Sequence, residues 1–168
     1  AAEGVGVDGT AGAGGVGDEV EDDGLGRLDV LRDLDATDRA AIAPLLLTET
    51  YEAGETILRE GEPADRLCSL VSGSATVRIE LDGGERTRRL RSFGPGTTFG
   101  EGAALDGGVR SITVTADEPC VVRSLSTDAL HRLAAEQPVA YGHLLAALGR
   151  NLAELLHRAV EEVRILDE

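Results

Sequence analysis

Residues 93–116 read FGPGTTFGEGAALDGGVRSITVTA, a glycine-rich turn between two apolar segments. Gly94, Gly96 and Gly100 permit sharp turns and a close approach of the backbone to another group. Residues 101–105 can then form one helical turn, whose first N–H groups have no acceptor within the helix. A helix start of this kind favours an anion, so the stretch is a candidate anion site.

One carboxylate and one guanidinium are spaced to meet at this turn. Arg110 follows Glu101 by nine residues and opens the next apolar segment, so its side chain can fold back toward the turn. A bidentate cation, a carboxylate acceptor and a row of amides fit a phosphate that carries a neighbouring hydroxyl, as in a phosphorylated sugar. The alternative is a structural Glu101–Arg110 salt bridge in a barrel that binds no ligand.

Short segments of alternating polarity surround the turn. In SATVRIEL, for example, the alternation places Ala75 and Val77 inward and Thr76 outward. No helix of crossover length separates these segments, which indicates an antiparallel barrel or sandwich. A tight turn is expected at Asp82-Gly83-Gly84. The predicted strands are TETY (48–51), ETILREG (55–61), RLCSLVSG (66–73), SATVRIEL (74–81), RTRRLRSFG (86–94), SITVTAD (111–117) and PCVVRSLS (119–126).

Helices are predicted on both sides of the strands. The leucines at 28, 31 and 34 indicate a first short helix, and Thr37 is a plausible N-cap for a second one over residues 38–43, which Pro44 ends. After the strands, Ser126 or Thr127 caps a short helix through Ala135. Pro138 then begins a long helix to about Leu166. Its apolar seam either packs on the barrel or pairs with a partner helix, and consists of Leu145, Leu148, Leu152, Leu155 and Ala159.

The N-terminal segment differs from the rest in composition. Residues 1–26 hold nine of the 22 glycines and seven acids without a basic residue. Such a segment buries too little apolar surface to offset its ordering entropy. We therefore predict a flexible acidic Gly-rich linker over residues 1–26 and one folded domain over residues 27–168, with the acids of residues 19–23 as a solvated cluster.

Composition excludes several classes of function. The formal charge of -15 disfavours nonspecific binding to nucleic acid or to an anionic membrane. Without lysine the chain forms no lysine Schiff base. No apolar stretch reaches the roughly 20 residues that span a bilayer, and no signal segment opens the chain, so a cytoplasmic location is expected.

No enzyme site is indicated. His131, His143 and His157 all fall in predicted helices, so they cannot form the barrel-borne metal cluster of cupin enzymes. Cys68 and Cys120 have no second Cys or His at ligand spacing and are interpreted as buried strand residues rather than metal ligands. The arginines of RTRRLR (86–91) are interpreted as a solvated strand face rather than a nucleic-acid patch.

The order and spacing of these motifs resemble those of cyclic-nucleotide-binding domains, the family of the bacterial cyclic-AMP receptor protein and of kinase regulatory subunits. The matching stretches are YEAGETILREGEPAD (51–65), LVSGSATV (70–77), GPGTTFGE (94–101), and Glu101 followed by Arg110-Ser111. The resemblance covers nearly all of residues 27–168. It implies a mainly β fold: an antiparallel jelly-roll (double-stranded β-helix) barrel of about eight strands, with short N-terminal helices and a long C-terminal helix.

The resemblance also assigns roles to residues. Glu101 would accept from the ribose 2′-hydroxyl, Arg110 would pair with the cyclic phosphate, and the long helix would cover the base. Ser111 would lie near the phosphate or the purine edge. The sequence departs from the family pattern at Gly102, usually a bulky aliphatic residue, and at Val109, often proline. Candidate amide donors are Gly100, Gly102 and Ala103, and candidates for contact with the base are His143, Arg150 and Asn151.

The resemblance implies a noncatalytic regulatory module that binds a cyclic purine nucleotide and signals through its C-terminal helix. No cofactor is expected beyond that ligand. Cyclic AMP is favoured over cyclic GMP because the resemblance is bacterial. The expected partners are the nucleotide and a second copy through the C-terminal helix. The alternative is a degenerate, ligand-free barrel used for dimerisation or scaffolding in a larger protein, such as a glutaminase or a sulphate-permease-type anion transporter.

Overall fold

A computed structural model describes residues 25–166 as two four-stranded antiparallel sheets flanked by helices. This architecture confirms the predicted mainly β barrel of eight strands with a long C-terminal helix. In chain order the elements are α1 (Ala36–Ile42), β1 (Leu47–Tyr51), β2 (Thr56–Leu58), β3 (Arg66–Ser72), β4 (Ala75–Leu81), β5 (Arg86–Phe93), β6 (Thr98–Phe99), α2 (Glu101–Asp106), β7 (Thr113–Ala116), β8 (Cys120–Ser126), α3 (Thr127–Glu136) and α4 (Pro138–Leu166). The strand orders in the two sheets are β1-β8-β3-β6 and β2-β7-β4-β5.

All seven predicted strand segments are confirmed, and one strand was missed. The missed strand, β6, contains only Thr98 and Phe99 and pairs with β3 inside the glycine-rich turn, too short a segment for alternation to show. Thr76 was expected on a wet face, yet it is 1 % exposed. Its hydroxyl bonds to Ser92 at 2.7 Å and donates to the Asp117 carboxylate, which together cover it.

Two apolar clusters form the core. One lies between the sheets and includes Leu70, Phe99, Val114 and the free, buried cysteines Cys68 and Cys120, as predicted for those two thiols. The other joins the helices to the barrel; its members include Leu28, Leu34, Ile42, Leu67, Leu130, Leu144 and Leu148. The second cluster fixes α4 on the barrel along its first three turns.

The N-terminal part differs from its prediction. Leu25 is already buried, in a 3-10 turn over Leu25–Arg27, so the folded domain begins before the predicted boundary at residue 27. The leucines at 28, 31 and 34 are buried as expected, but in successive turns rather than in a helix. Asp35, not Thr37, caps α1, because its carboxylate accepts from the Asp38 N–H at 2.8 Å. The rest of the predicted linker, residues 1–24, lies outside the described residues.

The C-terminal helices match their predictions closely. The Ser126 hydroxyl accepts from the Ala129 N–H at 3.0 Å and caps α3. Pro138 begins α4, which ends at Leu166. Among residues 25–166, no helix is long and apolar enough to cross a membrane.

Candidate functional site

A cavity of about 560 Å³ opens between the barrel and the second half of α4. Its floor is the start of α2, one wall is β5, and α4 lies across the opposite side. All six residues that the sequence analysis put forward line this one cavity, although they come from separate parts of the turn. They are Gly100, Glu101, Gly102, Ala103, Arg110 and Ser111.

Glu101 presents a buried and unsatisfied carboxylate to the cavity. Glu101 is 3 % exposed, and its Oε1 has no hydrogen-bond partner among residues 25–166. Burial raises the pKa of Glu101, while its own backbone N–H and the nearby Arg91 and Arg110 act in the opposite direction. A buried acceptor without a donor is costly in a folded protein, so this oxygen is suited to a donor from outside.

Arg110 is equally buried and is held by backbone carbonyls. It is 3 % exposed; its Nη1 donates to Gly100 O at 2.7 Å, and its Nη2 donates to Arg66 O. The Asp65 carboxylate lies 3.6 Å from Nη2, and burial lowers the pKa of Arg110. Two of its five N–H donors are therefore engaged by carbonyls and Nη2 also pairs with Asp65, which leaves donors on Nε and Nη1 for another acceptor.

The structural salt bridge considered from the sequence is not present between Glu101 and Arg110 in the described part of the chain. Arg110 instead faces carbonyls and Asp65, and Glu101 keeps a free oxygen. Two buried, opposite charges thus line one cavity without an ion pair between them. This arrangement fits a ligand that brings an anion to one and a hydroxyl donor to the other.

Glycine is required at the entrance to α2. Gly100 has φ of 75°, in the left-handed region, and a Cβ there would lie 2.7 Å from Arg110 Nη1 and 2.8 Å from Leu58 Cδ1. Gly102 has no such constraint, because a Cβ at that position meets no atom within 4 Å. Replacement of the usual bulky residue by Gly102 therefore leaves open space beside the turn.

Arginines interpreted as a solvated strand face belong to the cavity wall. Arg88, Arg89 and Arg91 of β5 all line it. The pairing of β4 with β5 places Arg91 opposite Val77 and Arg88 opposite Ile79, on the inward face of the sheet. The register of β4 and β5 would have indicated this inward placement. The sequence alone, however, does not show that a cavity opens beside β5.

The candidates for contact with the base lie elsewhere. His143 Nδ1 is 2.7 Å from the Asp38 carboxylate, and Arg150 Nε is 3.9 Å from the Asp33 carboxylate, both at the helical end of the molecule. Asn151 lines a separate, smaller cavity. The α4 residues on the main cavity are instead Leu152, Leu155, Arg158, Ala159 and Glu162.

The predicted dimer seam is occupied within the molecule. Leu145 and Leu148 pack in the helical core cluster. The rest of the seam, Leu152, Leu155 and Ala159, lines the cavity. Of the two alternatives for this seam, the structure therefore shows packing on the barrel for Leu145 and Leu148, and it places the rest of the seam beside the cavity.

Comparison with known proteins agrees with this geometry. A family model for the cyclic nucleotide-binding domain matches residues 48–137. Glutaminase 2 of Bradyrhizobium diazoefficiens is 35 % identical over 145 residues, which are 86 % of this chain and 22 % of that protein. The CRP-like cAMP-activated global transcriptional regulator of Mycobacterium tuberculosis is 30 % identical over 131 residues, covering 78 % of this chain and 58 % of the regulator.

The architecture agrees as well. The crystal structure of the Thermus thermophilus catabolite activator protein has a TM-score of 0.68 and 28 % identity, with 83 % of this chain and 63 % of that chain covered. This chain spans only part of each of these relatives. The family model covers more than half of the chain and the whole cavity floor, so the chain belongs to the family of cyclic nucleotide-binding domains.

Proposed function

We propose that this chain is a noncatalytic regulatory module that binds a cyclic purine nucleotide in the cavity between α2 and α4. The observation that carries the proposal is the buried Glu101 carboxylate, whose Oε1 lacks a partner in the described residues. The ribose 2′-hydroxyl is a donor of the right kind for this oxygen. The cyclic phosphate beside it is an anion for the remaining donors of Arg110.

The start of α2 completes the phosphate site. The N–H groups of Gly102 and Ala103 lie in the first turn of α2, where the helix offers them no acceptor. Ser111 is exposed at the rim of the same cavity and can donate to the phosphate or to the purine edge. The apolar side chains of Leu152 and Leu155 face the ligand space from α4 and suit the faces of a purine ring.

Cyclic AMP is our first candidate and cyclic GMP the second. The Mycobacterium tuberculosis relative is named as cAMP-activated, which favours cyclic AMP. Arginine pairs bidentately with O6 and N7 of guanine, and Arg88, Arg89 and Arg91 line the cavity, which is the observation that favours cyclic GMP. Both nucleotides make the same demands on Glu101 and Arg110.

Calorimetric titration of the full chain with each nucleotide tests the proposal. We expect saturable heat with cyclic AMP at a lower concentration than with cyclic GMP. The reverse order would move the assignment to cyclic GMP. The absence of heat with both nucleotides up to millimolar concentration would favour the ligand-free barrel used for dimerisation or scaffolding.

We also propose a homodimer through α4, on a different face from the predicted seam. Seven exposed small or apolar residues recur at steps of four and three on the side of α4 that faces away from the cavity. They are Gly142, Ala146, Gly149, Ala153, Leu156, Val160 and Val163. Basic side chains flank one side of this stripe, at 143, 150, 157 and 164, and Leu145, Leu152 and Ala159 flank the other. A parallel pair brings unlike flanks together, whereas an antiparallel pair brings basic flanks together.

Sedimentation analysis of single variants tests this face. Leu156→Asp, at a position that is 64 % exposed, should lower the dimer fraction. Ile165→Asp is the matched control, because Ile165 is 71 % exposed and lies off the stripe. Equal behaviour of the two variants would contradict a dimer through the stripe.

The larger context of the module is also a proposal. The match to Glutaminase 2 over 22 % of that protein supports a module of a longer chain, with an enzyme as one possible host. We propose the cytoplasm as its location, where cyclic nucleotides act as internal signals.

A further inference from the structure

The edge strand β5 has an unpaired side along its whole length. β5 is last in its sheet, so alternate N–H and C=O groups point away from β4. Residues 86–92 are all exposed, and within residues 25–166 no other strand pairs with β5. An eight-residue edge of this kind is a template for a further strand.

The charges along this edge select an anionic occupant. β5 carries four arginines in eight residues. Arg86 pairs with Asp82, and Arg89 donates to the Ser92 hydroxyl. Arg88 and Arg91 make no ion pair and no side-chain hydrogen bond with any residue in the range 25–166. An acidic extended segment would neutralise both of them.

The chain contains such a segment, and it precedes a part of the fold that lies near the end of β5. Residues 18–23 read DEVEDD, five acids in six residues, and span the same number of steps as residues 86–91. The Asp29 N–H donates to Gly96 O at 2.8 Å, and Asp29 lines a small cavity together with Arg91. Residues 18–23 precede Leu25 by two to seven residues, which reach roughly 7 to 25 Å when extended.

We propose that residues 18–23 add to the free edge of β5 as an extended strand, with their carboxylates on the β5 arginines. Main-chain bonds to the edge would supply affinity, and charge would supply selectivity. Because the described residue Asp29 lines a small cavity together with Arg91, the C-terminal end of the segment would meet the Arg91 end, and the added strand would run parallel to β5.

Docking of this strand would also affect the cavity. Arg88 and Arg91 line the nucleotide cavity as well as the edge strand. A docked acidic segment and an anionic nucleotide therefore compete for the same two guanidinium groups. This consequence rests on the proposed function, whereas docking itself does not.

Amide hydrogen exchange of the full chain without nucleotide tests the docking. The comparison is a full-length variant in which the five acids are neutralised: Asp18→Asn, Glu19→Gln, Glu21→Gln, Asp22→Asn and Asp23→Asn. Exchange over residues 86–92 should accelerate roughly three- to tenfold in this variant, because each exposed ion pair favours association by a factor of roughly 1.4 to 5. The control variant Glu3→Gln/Asp8→Asn, which neutralises acids outside the segment, should exchange as the unmodified chain does.

A second measurement examines the acidic segment itself. A glutamyl endopeptidase should cleave after Glu19 and Glu21 faster in Arg88→Gln/Arg91→Gln than in the unmodified chain. The control Arg132→Gln changes an exposed arginine of α3 and should leave cleavage unchanged.

Equal amide exchange over β5 in the unmodified and neutralised chains would overturn the proposal. Protection that grows with protein concentration would assign the edge to a second copy and overturn it too.

Discussion

Replacement of Glu101 by glutamine should raise stability and lower nucleotide affinity. The side chain is buried, and burial raises the pKa of its carboxyl. For an acid with a raised pKa, the folded state binds more protons than the unfolded state between the two pKa values. Stability therefore falls as pH rises through this window and stays low above the folded pKa. A neutral glutamine removes that penalty, so Glu101→Gln should melt at a higher temperature at neutral pH.

The loss of affinity follows from the bond that the carboxylate makes. A hydrogen bond to a charged group contributes about 1.5 to 3 kcal/mol, and a neutral one about 0.5 to 1.5 kcal/mol. The glutamine amide keeps one acceptor for the 2′-hydroxyl, so the difference is about 1 to 1.5 kcal/mol. The dissociation constant should rise roughly five- to thirteenfold. Calorimetric titration and thermal melting of the same samples measure both effects.

Glu162→Gln provides the matched control. Glu162 lines the same cavity from α4 but is exposed. The Glu162→Gln variant removes the same charge from the same cavity. Its nucleotide affinity and its melting temperature should nevertheless stay close to those of the unmodified chain. If Glu101→Gln lowered stability as well as affinity, the carboxylate would be a structural element of the turn. Unchanged affinity in Glu101→Gln would contradict its assignment as the ribose acceptor.

Three further predictions concern the same turn. Nucleotide affinity should decrease as pH falls through the raised pKa of Glu101, because protonation removes the charged acceptor at a pH above the ordinary carboxyl value; Glu101→Gln should flatten this profile in calorimetry, and a profile unchanged by the substitution would contradict the assignment. Arg110→Ala should lose about 2 to 5 kcal/mol of binding, more than Glu101→Gln. It should also melt at a lower temperature, because the carbonyls of Gly100 and Arg66 lose their donor; a smaller binding loss than that of Glu101→Gln would argue against a phosphate at Arg110. Gly100→Ala should lower the melting temperature because of its left-handed φ and its contact with Arg110, whereas Gly102→Ala, with open space around it, should raise stability by about 0.5 to 1 kcal/mol; effects of the same sign would contradict the geometry of the turn.

Local sequence signals predicted much of this fold. Alternation located the seven longer strands; β3, β4, β7 and β8 show it because they bury residues in the core, whereas β5 is exposed along most of its length. Ser126 and Pro138 marked the starts of α3 and α4, since capping and proline at a first turn are local effects. The six site residues were placed by glycine spacing and by resemblance. All of these signals act within a few residues of chain.

The errors concern properties that depend on distant parts of the chain. The spacing of the leucines at 28, 31 and 34 suits a helix, but three turns bury them equally well. Strict alternation along β5 would place Arg88 and Arg91 on opposite faces. A register shift in the pairing with β4 brings both to the inward face, and their place on the cavity also depends on the position of α4. Burial of Thr76 depends on Asp117, which lies 41 residues away.

The two apolar faces of α4 connect ligand binding to assembly. One face meets the core through Leu144 and Leu148 and then lines the cavity with Leu155, while the opposite face exposes Leu156 and Val160. Because both faces belong to one rigid helix, a ligand that draws Leu155 toward the barrel also reorients the exposed stripe. By linkage, if a nucleotide strengthens dimerisation by some factor, dimerisation strengthens nucleotide binding by the same factor. In the proposed dimer, the arrangement of α4 would therefore give the barrel a physical means to transmit occupancy of its cavity to a partner subunit.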